Sequence, residues 1–143
     1  MQRPSARAKV LSVSPVKHDH EELKAILVGQ CRVFDAASFH CARKLLEADV
    51  FAIVLCERNL APYTWRDVLA EVAAVPTRPL LVVTSRLADD QLWSEVLNLG
   101  AYDVLSKPFV ALEVTRTINA ALLHWKYQNE PTKKRVRVAG QAG

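Results

Sequence analysis

Cysteine is scarce in this sequence, with only three among 143 residues. Cys31, Cys41 and Cys56 are scattered, and no two of them form a C-x-x-C pair. An odd and scattered set argues against a disulfide framework and against a zinc site. We therefore expect three reduced thiols, with Cys56 in the core because it lies in a strongly apolar run.

Long hydrophobic runs are also missing. No apolar stretch reaches the roughly 18 residues that indicate a membrane span. The polar, basic start of the chain is not followed by the apolar core of a signal peptide. Half of the residues are hydrophobic, which is enough for the core of one domain. Because neither a repeat nor a linker is visible, we expect a single domain. Because neither a membrane span nor a signal peptide is visible, we expect it to be cytoplasmic, with no membrane contact.

Positive charge is concentrated at the two ends of the chain. Of the net charge of +4, residues 131–143 contribute four positive charges and residues 1–9 contribute three, which leaves −3 for residues 10–130. A basic protein is a candidate for nucleic-acid binding. Because the excess lies at the ends and the body is mildly acidic, nucleic-acid binding is the least favoured of the functions considered.

Short apolar runs alternate along the chain with longer segments of helical period. Ser38 and Thr64 are predicted N-caps, Thr64 with Asp67 as in a capping box, and Gly100 is a predicted helix stop. Strands are predicted at 9–14, 31–36, 51–56, 79–84 and 102–105, and helices at 18–29, from 38, from 64, at 88–99 and at 110–127. This alternation indicates a parallel sheet covered on both faces.

Functional sites of such folds lie at the carboxyl ends of the strands. The loops after Val13, Cys56, Thr84 and Leu105 are therefore the places to search. We expect the domain to span residues 8–127, between a flexible amino-terminal tail (1–7) and a basic, disordered carboxy-terminal tail (128–143).

Three segments carry a resemblance to a known family: FAIVLCERNLAP at 51–62, PLLVVTS at 79–85 and LGAYDVLSKPF at 99–109. They resemble the receiver domain of two-component response regulators over roughly residues 8–127. The resemblance implies an α/β fold, a flavodoxin-like (βα)5 three-layer sandwich whose five-stranded parallel sheet has the order 2-1-3-4-5.

A receiver that accepts phosphate needs an aspartate after its third strand and an acidic pair that helps to hold Mg²⁺. A hydroxyl and a lysine then contact the phosphoryl oxygens. Here the resemblance assigns the phosphoacceptor position to Glu57, the acidic pair to Ser14 and Pro15, the phosphate contacts to Thr84 and Lys107, and the switch aromatic to Val104. A slip of one residue would put Cys56 or Arg58 at the acceptor position, and neither restores the chemistry.

The substitutions predict a site without phosphoryl chemistry. Asp19 and Asp49 lie too far along the chain to replace the acidic pair, so we expect no Mg²⁺ cofactor, no catalytic residue and no metal ligand. One carboxylate, Glu57, then faces one ammonium, Lys107. We expect the two to form a salt bridge with Thr84 close by, and the resemblance implies a cis bond before Pro108.

Other interpretations remain open for several residues. Glu57 could be a solvated loop residue. The cluster from His18 to Glu21 could bind a metal, but the first turn of a helix with exposed histidines explains it better. Trp93 and Trp125 could be partner anchors or edges of the core.

The favoured function is a stand-alone, degenerate receiver, or pseudo-receiver, which signals by protein–protein contact without phosphorylation and is not an enzyme. The resemblance implies that a protein partner or a second copy would bind the face formed by the fourth helix, fifth strand and fifth helix. The alternative is a phosphorelay receiver that accepts phosphate from a histidine kinase. Nucleic-acid binding through the basic tails is a third possibility.

Overall fold

The computed structural model describes residues 7–130. Almost all of both predicted tails lies outside the described residues. The strands are β1 (Lys9–Val13), β2 (Arg32–Ala36), β3 (Ile53–Glu57), β4 (Asn59–Leu60), β5 (Tyr63–Thr64), β6 (Leu80–Ser85) and β7 (Asp103–Ser106). The helices are α1 (Lys17–Leu27), α2 (Phe39–Ala48), α3 (Trp65–Ala74), α4 (Asp90–Leu99) and α5 (Ala111–Gln128).

Five of the strands form one parallel sheet in the order β2-β1-β3-β6-β7. This confirms the predicted fold class and order, since β6 and β7 are the fourth and fifth predicted strands. Val13 pairs with Cys56, and Glu57 pairs with Thr84. The register therefore brings the ends of β1, β3 and β6 to the same edge of the sheet, where the site was predicted.

Helices cover both faces of the sheet and make two separate cores. The buried side chains of α1 and α5, such as Leu23 and Ile118, pack on one face, and those of α2, α3 and α4, such as Leu46 and Val96, pack on the other. Because β3 is buried on both sides, its sequence is apolar without alternation. Each fully buried Leu or Ile side chain contributes about 1.5–3 kcal/mol.

The predicted helix ends are confirmed. The Ser38 hydroxyl accepts a hydrogen bond from the backbone N–H of Cys41, and Thr64 forms a complete capping box with Asp67. Gly100 ends α4 in the left-handed region at φ 100°, which glycine adopts without a steric cost. These local signals fix where α2, α3 and α4 begin or end.

The loop between β3 and α3 contains an antiparallel hairpin that the sequence patterns did not predict. In this hairpin Asn59 pairs with Thr64, and Leu60 pairs with Tyr63. Its strands have only two residues each, which is too short for a periodicity to be visible. The hairpin forms one wall beside the carboxyl end of the sheet. Among residues 7–130, none of the helices is both long and apolar enough to cross a membrane.

Candidate functional site

Lys107 is at the centre of the cluster of charged side chains at the carboxyl end of the sheet. It directly follows β7, and its ammonium donates hydrogen bonds to Asp19 Oδ2 at 2.7 Å and to Glu57 Oε1. The side chain of Lys107 is only 6% exposed. The ammonium is therefore withdrawn from solvent and held between two carboxylates.

Glu57 is positioned by the end of β3. It is the last residue of that strand, and its side chain is 11% exposed. Besides the contact with Lys107, its Oε2 accepts a hydrogen bond of 3.1 Å from the backbone N–H of Asn59. Both carboxylate oxygens thus have protein donors. The structure places Glu57 within the site, in agreement with the predicted salt bridge and not with the solvated-loop interpretation.

Asp19 also belongs to the site, and the expectation that it lies too far along the chain was wrong. Helix α1 begins at Lys17, soon after β1, so its first turn lies above the end of the sheet. Asp19 is buried there, and its Oδ2 accepts from the Ser14 hydroxyl at 2.7 Å as well as from Lys107. Asp49, in contrast, pairs with Lys9 at 2.8 Å and stays outside the site.

His20 corrects the expectation that both histidines of the first turn are exposed. His18 is exposed near Glu21 and Glu22, but His20 is buried. Its Nε2 lies 2.9 Å from the Ser14 carbonyl oxygen, and its Nδ1 lies 2.8 Å from the Ser12 hydroxyl. A carbonyl only accepts, so Nε2 carries the proton. His18 and His20 therefore point to different surroundings and do not form a metal cluster.

The charge balance of the site differs from the expected neutral pair. Two carboxylates surround one ammonium, so the three groups together carry a net charge of −1 when all are ionised. Burial opposes the charge of the ammonium, but the hydrogen bonds and charges of Asp19 and Glu57 outweigh it and raise the pKa of Lys107 above its ordinary value. Lys107 is therefore firmly protonated near neutral pH.

A pocket of about 420 Å³ opens beside these three residues. Glu57, Lys107 and Ser85 contribute to its lining, but Thr84 does not. Thr84 is the cross-strand partner of Glu57 and is buried beside it, so the expected proximity of Thr84 to Glu57 is met. Ser85, the next residue along β6, is the hydroxyl residue that lines the pocket, and a phosphate-contact role for Thr84 stays a prediction.

Comparison with solved structures identifies the fold. A receiver domain of an HD domain-containing protein from Pseudomonas fluorescens Pf-5 has a TM-score of 0.80 at 21% identity, over 92% of this chain and 98% of that one. A receiver domain of a Luxo repressor protein from Vibrio parahaemolyticus has a TM-score of 0.79 at 18% identity, over 86% and 95% of the two chains. This chain has the receiver-domain fold.

A further structure with this fold is a chemotaxis protein from Vibrio cholerae, with a TM-score of 0.74 at 21% identity over 82% of this chain and 100% of that one. No protein-family model matches the sequence, and no curated protein matches it either. The likeness to these proteins is therefore one of fold.

The remaining positions that the resemblance assigned can now be located in the receiver-domain fold. Ser14 is buried, while Pro15 is exposed and lines the pocket. Val104 is buried on β7 and packs in the core shared with α2, α3 and α4. The Lys107–Pro108 peptide bond is cis, the isomer that the resemblance implied.

The cysteines and two of the tryptophans can also be located in the fold. All three cysteines are free thiols, and burial, with a smaller effect of the Glu57 charge, raises the pKa of Cys56. The Trp125 indole N–H donates to the Thr77 carbonyl oxygen at 3.0 Å, which gives this side chain a structural role. Trp93 is 37% exposed on α4. Within residues 7–130, no three His, Cys, Asp or Glu side chains are grouped in a way that could hold a metal ion.

Proposed function

We propose that this chain is a receiver-type signalling module that acts by protein–protein contact, without phosphorylation and without an enzymatic activity of its own. The observation that carries the proposal is the enclosure of the Lys107 ammonium between the carboxylates of Asp19 and Glu57. In phosphoryl transfer such a lysine would instead stabilise the oxygens of the incoming group.

The state of Glu57 supports this proposal. Each oxygen of Glu57 already accepts one hydrogen bond from the protein, which fixes the orientation of the carboxylate towards Lys107 and Asn59. Lys107 would have to leave two carboxylates before it could contact a phosphoryl group. The second carboxylate, Asp19, would also repel the arriving anion from short range.

The donor set does not suit Mg²⁺, which requires several hard oxygen ligands in near-octahedral geometry. Ser14 offers a neutral hydroxyl that already donates to Asp19, and the Pro15 side chain offers no oxygen. The same Oδ2 atom of Asp19 accepts from both Ser14 and Lys107. We therefore propose that the domain functions without a metal cofactor.

The partner in this proposal is a protein. The face formed by α4, β7 and α5 is the surface that the family resemblance favours, and it carries exposed apolar side chains such as Trp93 and Leu97 on α4. Exposed aromatic and apolar groups suit a protein interface better than a nucleic-acid one. A cytoplasmic location remains the expectation for such a module.

The proposal can be tested with beryllofluoride, which mimics a bound phosphoryl group, by recording the amide NMR spectrum of the chain with and without it in the presence of Mg²⁺. We expect no shifts in α4 or β7, because the site is already occupied by its own charges and because Val104 is stiff at χ1. A responsive receiver serves as the positive control. Shifts in α4 like those of the control would favour the phosphorelay receiver instead.

A further inference from the structure

We infer that the carboxyl-end pocket and the groove beside it form a docking surface for a partner segment that carries an acidic side chain next to an aromatic or large apolar one. The inference rests on the proposed function, because it names where and by what chemistry a protein partner would bind. It adds a binding surface at the carboxyl end of the sheet, separate from the face formed by α4, β7 and α5.

Two arginines make the mouth of the pocket basic. Arg58 follows β3 and is half-buried, and Arg86 follows β6 and is exposed; both line the pocket of about 420 Å³. Neither guanidinium forms a hydrogen bond or an ion pair with any side chain of residues 7–130. Arg66, by comparison, is paired with Glu95. Because these two guanidinium groups are unpaired within residues 7–130 and lie at one concave site, they are available to bind an external group.

The charge of this pocket favours an anion although the inner cluster is negative. Glu57 is the single acid among the residues that line the pocket, whereas Arg58, Arg86 and Lys107 contribute three cations. Lys107, Asp19 and Glu57 together carry a charge of −1, so with the two arginines the site carries a net charge of +1. The positive charge lies at the mouth on Arg58 and Arg86, and the planar guanidinium group matches a carboxylate through two parallel hydrogen bonds.

An apolar groove continues directly from the basic pocket. It has a volume of about 310 Å³, and Pro15 and Asn59 line both cavities. Its floor includes the stacked rings of Phe39 and Tyr63, whose centroids lie 4.3 Å apart, and Pro62 of the hairpin forms one wall. Proline and aromatic surfaces of this kind suit a flat or branched apolar side chain.

The combination of these two cavities specifies the partner. Tyrosine and arginine are enriched among the residues that dominate binding energy, and here they lie on adjoining concave surfaces. A free anion would use only the basic pocket, and a purely apolar segment would leave Arg58 and Arg86 unpaired. A segment with an acidic and an apolar side chain in sequence uses both cavities.

The test is an amide NMR titration of the full chain with N-acetyl-Glu-Phe-amide at low salt. We expect shifts in residues 58–63 and 85–87, with a dissociation constant that rises at least tenfold in the Arg58→Ala/Arg86→Ala variant. Arg116→Ala removes an exposed arginine of α5 and should leave the affinity unchanged. The charge-reversed N-acetyl-Lys-Phe-amide should not bind.

Three results would overturn the inference. One is equal affinity of the chain for the Glu and Lys peptides, or equal affinity of the wild type and the double variant for the Glu peptide. Another is a set of shifts confined to α4, β7 and α5, which would leave the proposed function intact. The third is inorganic phosphate binding as tightly as the Glu peptide with the same shifts, which would indicate a site for free anions. The beryllofluoride experiment tests the proposed function independently of this titration.

Discussion

Replacing Lys107 by methionine would test the enclosed charge cluster most severely. The substitution keeps a long apolar stem but removes the ammonium that contacts Asp19 and Glu57. Two carboxylates, both largely withdrawn from solvent, would then lie close together without a counter-charge. We expect a large loss of stability, because an uncompensated buried charge costs much more than a lost surface ion pair.

The exposure of the three side chains sets the size of the effect. Lys107, Asp19 and Glu57 are 6%, 6% and 11% exposed, which is close to the buried limit. Removing one partner of a buried pair costs about 3–5 kcal/mol, whereas an exposed pair contributes about 0–1 kcal/mol. We therefore expect Lys107→Met to lower the free energy of unfolding by about 3–5 kcal/mol, a large part of the total for a domain of this size.

Urea denaturation of wild type and variants at pH 7 would measure this loss. Lys24→Met is the matched control, because Lys24 pairs with Asp35 at 2.9 Å with both side chains nearly half exposed. Its cost should be about 0–1 kcal/mol. The penalty of Lys107→Met should shrink in acid, since protonation removes the uncompensated charges. If both variants lost the same small amount at pH 7, the cluster would be solvated and the reasoning wrong.

Three further predictions follow from the same cluster. Glu57→Gln and Asp19→Asn should each lower the free energy of unfolding by about 1–3 kcal/mol in urea denaturation, since Lys107 keeps one carboxylate in either variant. The double variant should lose more than the sum of the two losses. Strict additivity would argue against an ammonium shared by the two carboxylates. Isothermal titration should detect no Mg²⁺ binding below millimolar concentration, and binding that Glu57→Gln abolishes would contradict the account. The folded-state pKa of Lys107 is raised. The contribution of its charge to stability should therefore be complete below the unfolded pKa of about 10.4 and lost as pH rises through the folded pKa. Urea unfolding at a series of alkaline pH values should show a fall in wild-type stability that is absent in Lys107→Met.

Much of the fold could be predicted from local patterns, because strong local signals and the tertiary structure agree. The continuous apolar run that contains Ile53 marks a strand buried on both faces, and the caps at Ser38, Thr64 and Gly100 mark helix boundaries. The approach of Glu57 to Lys107 was also predictable in outline. It follows from the rule that the carboxyl ends of parallel strands meet at one edge of the sheet.

The third member of the cluster was missed because distance along the chain is a poor guide at the start of a helix. Asp19 lies four residues before Leu23 and eight before Leu27, on the same face of α1 as these two buried leucines. That spacing was visible in the sequence and could have identified Asp19 as an inward-facing residue. His20 lies near the same face, so its burial could have been recognised in the same way.

The places of Thr84 and Ser85 could not be told apart from the sequence alone. These hydroxyl residues are neighbours where β6 ends, and a shift of one residue moves a side chain to the opposite face. The pairing of β6 with β3 fixes the register, which puts Thr84 beside Glu57, whereas Ser85 lines the pocket. Such a choice depends on strand register, which local composition does not determine.

The most direct test of the central claim is incubation of the chain with acetyl phosphate and Mg²⁺, followed by intact mass spectrometry. A functional receiver treated in parallel shows that the reagent is active. The account predicts an unchanged mass, because the Glu57 carboxylate is held by two protein donors and Lys107 is held by two carboxylates. A mass increase of one phosphoryl group that disappears in Glu57→Gln would contradict it and would identify the chain as a phosphorelay receiver.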